Sequence, residues 1–158
     1  MTLLTFIVFT GVGATALTDV WALLRKQLWA TPLPDWALVG RWLAHAARGR
    51  LRHEAIARAS PVPGERILGW VFHYLVGIAF AALLLLAWGE DWAAHPRLAP
   101  ALIVGLVSVA APFLILQPGM GAGVAASRTP RPHIARLHSL ATHTVFGIGL
   151  FVSAWIMA

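Results

Sequence analysis

The sequence predicts an all-α fold, an integral membrane four-helix bundle, and three observations predict it. Hydrophobic residues make up 59% of the 158, charged residues only 11%, and the mean hydropathy is +0.75. A soluble domain carries about 25% charge, so too few polar side chains are available to cover a water-facing surface. Next, four apolar runs, at 2–24, 67–88, 98–116 and 137–157, approach the roughly 20 residues that cross hydrocarbon. Finally, the basic residues alternate between connections. Arg25, Lys26, Arg41, Arg48, Arg50, Arg52, Arg58 and Arg66 follow the first run, and Arg128, Arg131 and Arg136 follow the third, while only Arg97 follows the second.

The first run contains no Lys or Arg, and its Asp19 is the only acidic residue inside any of the four. No basic stretch precedes it and it is long enough to remain a span, so it reads as a membrane helix rather than a cleaved signal. The connection at 25–66 holds a helix of its own. Pro34-Asp35 supplies a start with Asp35 as N-cap, and Trp36, Val39, Trp42, Leu43 and Ala46 then recur at helical spacing. This is expected to be a short interfacial helix, with Trp36 and Trp42 at the headgroups and Arg41 reaching anionic lipid. The second and third runs are joined by a short loop. The third run contains Pro112, which cannot bond the Ser108 carbonyl and should bend the helix.

The segment Gln117-Pro-Gly-Met-Gly-Ala-Gly123 then reads as a helix stop and tight turn. It is not a phosphate loop, because no Lys and Ser or Thr directly follow the glycines. It opens the second basic connection, 117–136. Both basic connections are expected on the cytoplasmic side by the positive-inside rule, which places the chain in a bacterial inner membrane with both termini periplasmic. Topology thus accounts for the net charge of +6 without nucleic acid as a partner. The partner is the lipid bilayer, and the thinness of a four-helix bundle leaves room for a homo-oligomer. No cysteine is present, so disulfides and thiolate chemistry are excluded.

Ionisable groups in hydrocarbon cost roughly 2.5–3.5 kcal/mol each on insertion scales, and they persist where they pair, line water or do chemistry. Asp19, His73 and His143 stand six, seven and seven residues from Arg25, Arg66 and Arg136, each roughly 9–10 Å from the cytoplasmic edge at the helical rise. Small or hydroxyl residues flank them one turn away: Thr15 beside Asp19, Gly69 and Gly77 beside His73, Ser139 and Gly147 beside His143. Such spacing marks faces where helices approach closely. A buried polar site in the cytoplasmic half is therefore expected from Asp19, His73, His143, Thr15, Ser139 and Ser108. His138 lies about 140° around the helix from His143 and reads as interfacial.

Gly11-Val-Gly-Ala-Thr-Ala-Leu-Thr-Asp-Val-Trp21, Gly40-Arg-Trp42, Pro63-Gly-Glu-Arg66, His73-Tyr74, Gln117-Pro-Gly-Met-Gly121, Ala126-Ser-Arg-Thr-Pro130 and His143 together resemble one bacterial family of multi-pass membrane proteins, domain of unknown function 2938. The resemblance spans nearly the whole chain. It implies a bacterial integral membrane protein and supplies no activity, substrate or catalytic residue.

From the residues themselves, the leading expectation is a small transporter or permease-like protein whose Asp/His cluster binds a proton-linked solute or cation. The second is a metal or haem protein. In it His73 and His143 ligate haem iron axially, or join Asp19 around a divalent metal. The third is an enzyme with Asp19 and a His as acid and base, although no nucleophile elbow or triad spacing supports it. The fourth is a structural accessory subunit of a larger membrane complex, using the same polar residues to join helices.

Overall fold

The computed structural model describes residues 2–158. It is all-helical, with no strand among the described residues. Helix α1 is Leu3–Trp29, α2 is Trp36–Ala46, α3 is Glu65–Ala94, α4 is Leu98–Met120 and α5 is Pro132–Met157. Single 3₁₀ turns occupy Ile56–Arg58 and Val124–Ala126. Helices α1, α3, α4 and α5 are long and apolar enough to cross a membrane. The helices overrun the apolar stretches that mark them. In particular, α1 continues through Arg25 and Lys26 to Trp29 before Ala30 closes it in the left-handed conformation.

The chain divides into two compact units. The first comprises α1, residues 74–108 and residues 140–158. Its core is Phe6, Leu84, Trp92, Phe146 and Leu150, with alanines between them. Small residues set the helix spacing. Gly11 of α1 abuts the backbone of Gly77 and Ile78 in α3, and Gly105 of α4 abuts Gly147 of α5. A stripe of Gly and Ala lets backbones approach where lipid supplies no hydrophobic drive between helices. The outward residues are large and apolar, among them Leu4, Leu86 and Trp155, as expected of faces solvated by lipid.

One local feature could not be read from hydropathy. At Gly89, with φ 74° and ψ −175°, α3 is kinked and a further helical turn, 90–94, follows. That conformation is essentially restricted to glycine. The turn delivers Trp92 to complete burial, edge-on to Phe6 with ring centroids 6.5 Å apart, and its indole N–H donates to the Arg97 carbonyl at 3.0 Å.

The second unit comprises residues 34–73 and 109–139. Asp35 caps α2 as its sequence suggests, Oδ1 accepting from the Ala37 N–H at 3.0 Å. Val39 and Trp42 of the apolar stripe are buried. Trp42 and Arg41, expected at the headgroups, both make contacts within the chain. Trp42 is 8% exposed, sits against Gly119 and donates its indole N–H to the Leu51 carbonyl at 3.0 Å. Arg41 forms a two-pronged pair with Glu65, at 2.8 and 2.7 Å, and bonds the Ala57 and Ala59 carbonyls at 3.3 and 3.2 Å. The Glu65 hydrogen bond holds the Arg41 guanidinium above its ordinary pKa. A planar fork matched to a carboxylate is a protein-internal clamp. Trp36 is half-buried, stacked on the His73 ring at 3.8 Å between centroids.

Pro112 opens a π-helical turn over Pro112–Leu116, closed by the Gln117 N–H on the Pro112 carbonyl. The proline thus stands at a change of helical hydrogen bonding, and helix continues through Gln117–Met120. The stop falls at Gly121, φ 99°, packed against the His53 and Glu54 carbonyls. The glycine-rich segment is thus a docking loop: the His53 N–H bonds the Gly119 carbonyl at 2.9 Å.

Candidate polar site within the helices

In the first unit, Asp19 receives a hydrogen bond from the Tyr74 hydroxyl, Oη to Oδ2, at 2.9 Å. The pair joins α1 to α3 on the face where Gly11 and Gly77 have brought the two helices together. Thr15, one turn from Asp19, is 1% exposed, and its hydroxyl donates back to the Gly11 carbonyl at 2.8 Å. Thr18 does the same to the Thr15 carbonyl at 2.7 Å. Both hydroxyls are therefore satisfied within α1, while the carboxylate and the phenol reach across.

A second pair joins α4 to α5. Ser108 is 2% exposed and its hydroxyl lies 2.6 Å from His143 Nδ1 and 2.6 Å from the Gly105 carbonyl. Ser108 has one proton. If it goes to the carbonyl, His143 Nδ1–H must donate to Ser108 Oγ, with Nε2 as the acceptor end of the ring. If it goes to the imidazole, the ring carries the opposite tautomer. Two tautomers exchanging across a hydroxyl is a geometry that can pass a proton. Gly147, one turn from His143, lets α4 and α5 meet at Gly105.

His73 and Ser139 belong to the second unit and are half-buried. The His73 ring faces Trp36 and meets Trp70 edge-on at 5.9 Å. Among the described residues no three His, Asp or Glu side chains are grouped closely enough to hold a metal ion. The reading of Asp19, His73 and His143 as a divalent-metal site therefore gains no geometric support. Sequence reasoning missed Tyr74 as a site residue. It is the only tyrosine of the chain, a signal that was present, but its partner is 55 residues away.

An all-helical chain with four helices long and apolar enough to cross a membrane, and with hydrogen-bonded polar pairs between helices, is compatible with the class of helical membrane proteins. The chain belongs to the family described as "Protein of unknown function (DUF2938)", which matches residues 8–157. No curated protein and no solved structure matches the chain.

Proposed function

We propose that this is a small inner-membrane transport protein that couples solute or cation movement to protons, with Asp19 as the proton-binding carboxylate. The observation that carries the reading is the 2.9 Å hydrogen bond between Asp19 and Tyr74. The one acidic residue of the four apolar runs is held by a protic side chain on a neighbouring helix, a placement that favours function over chance. The Ser108–His143 pair supports it as a second proton-carrying element in the same unit. The metal and haem alternatives have no comparable support.

Reconstitution in liposomes with a trapped pH indicator tests the proposal. The wild type should dissipate an imposed proton gradient on addition of the transported solute, screened as small cations and organic acids. Asp19→Asn, which preserves shape, should fall to the level of empty liposomes while expressing and folding normally. Tyr74→Phe should retain partial activity. A mild Asp19→Asn with a destabilised Asp19→Leu would mean that the pair only joins helices, as in an accessory subunit.

Orientation forms part of the proposal. The charge pattern supports periplasmic termini. A periplasmic reporter fused after Ala158 should therefore be active and a cytoplasmic one silent, with the reverse in the Arg48–Arg58 segment. A cytoplasmic signal at Ala158 would overturn the four-span arrangement.

A further inference from the structure

We propose that Arg25 and Trp21, at the basic end of α1, form a binding site for a phosphate group. Arg25 is 8% exposed, yet its Nε–H is buried without an acceptor, and so is the indole Nε1–H of Trp21. None of the ion pairs of the described residues includes Arg25. A buried guanidinium without a carboxylate or carbonyl partner is costly, because leaving one charged donor group unsatisfied forfeits its hydration. Arg41 shows what this chain does with an arginine that it satisfies internally, giving it two carboxylate oxygens and backbone carbonyls.

The surroundings specify the missing acceptor. Trp21, Arg25 and Trp29 stand four residues apart on one helical face. The Arg25 Cζ lies 5.9 Å from the centre of the Trp21 ring, and the Trp21 and Trp29 rings meet edge-on at 6.1 Å. Trp29 is 63% exposed at the rim, and Lys26 beside it is exposed. Two unfilled N–H donors, one of them on a permanent cation, call for an anion with several acceptor oxygens. Phosphate meets a guanidinium fork with the right geometry. The exposed indole and the helix end suit a phosphate carried at headgroup depth by an anionic phospholipid, while the same donors would accept a phosphate dissolved in the cytoplasm. This site is separate from the Asp19–Tyr74 pair and does not depend on the transport reading.

The test uses full-length protein, delipidated in detergent, and follows its unfolding midpoint while phosphatidylglycerol, diacylglycerol or inorganic phosphate is added. Bound lipid is counted by native mass spectrometry. Phosphatidylglycerol should raise the midpoint saturably and remain bound at about one per chain, and diacylglycerol, with the same tails and no phosphate, should not. Arg25→Gln should abolish the shift, and Arg50→Gln should leave it unchanged. Trp21→Phe, which keeps the ring and removes the donor, should weaken it. An Arg25-dependent shift with inorganic phosphate alone would assign the site to a soluble phosphate. An Arg25→Gln protein responding like the wild type would overturn the proposal, and so would equal effects of diacylglycerol and phosphatidylglycerol. Should Arg25→Gln fail to fold, Arg25→Lys decides: it keeps the charge and loses the fork, and a wild-type response from it would refute a guanidinium site.

Discussion

Replacing Gly11 with leucine is expected to abolish recovery of folded, monodisperse protein. A Cβ at this position would stand 2.7 Å from the Ile78 nitrogen and 2.9 Å from the Gly77 carbonyl carbon. These are backbone atoms, so no rotamer change relieves the clash and α1 must part from α3. Overpacking a core typically costs about 1–3 kcal/mol when side chains can shift. Here the obstacle is the main chain, and the loss extends to everything the close approach supports, the Asp19–Tyr74 bond included. Against a total stability on the order of 5–15 kcal/mol, that opens the unit. Size-exclusion chromatography in detergent reads the result. Val20→Leu, on the same helix but 50% exposed, should elute as the wild type. A Gly11→Leu protein that does likewise would show that the two helices do not meet at this glycine.

The four apolar helices were legible because hydropathy reports the solvent directly. Their ends were not, because hydropathy marks where the hydrocarbon stops rather than where hydrogen bonding stops. Arg25 and Lys26 read as the start of a loop, yet the backbone stays helical to Trp29, since a charged residue beyond the apolar zone has no reason to unwind. The third span shows the same effect at Gln117–Met120, where a proline-containing turn still belongs to the helix and the chain turns only at Gly121.

Small-residue spacing was more informative than composition. The Gly11–Thr15–Asp19 and Gly69–His73–Gly77 rows and Gly147 beside His143 all lie on faces where another backbone or buried side chain approaches. What spacing could not supply was the partner. Tyr74 lies 55 residues from Asp19 in sequence, and the rotation of α3 is what brings its hydroxyl to the carboxylate. The short helix α2 shows a second limit of pattern. Its Trp and Arg pattern is the one used at lipid headgroups, but an aromatic stripe serves equally well to bury Trp42 against a glycine and to clamp a loop through Arg41. Pattern alone does not distinguish lipid from protein as the covering phase.

Trp92→Ala is expected to destabilise the first unit by about 3–5 kcal/mol, the usual range for emptying a buried large aromatic site. Trp92 is 0% exposed, the largest of the fully buried side chains. It stands on the turn that follows the Gly89 kink, so it closes one end of the unit rather than filling the middle of a helix. Removing it leaves Phe6 without its edge-on neighbour and the Arg97 carbonyl without its indole donor. Trp92→Phe separates the two contributions: it keeps most of the ring volume and should cost mainly the lost hydrogen bond, about 1 kcal/mol. Gly89→Val should act through the same turn by straining the backbone at φ 74°, a cost of about 1–3 kcal/mol. Leu86→Ala, at 82% exposure on the same helix, should be close to neutral. Denaturant unfolding of the four variants in one detergent gives the ranking. If Trp92→Ala unfolds together with Leu86→Ala, the turn after Gly89 is not part of the packed core.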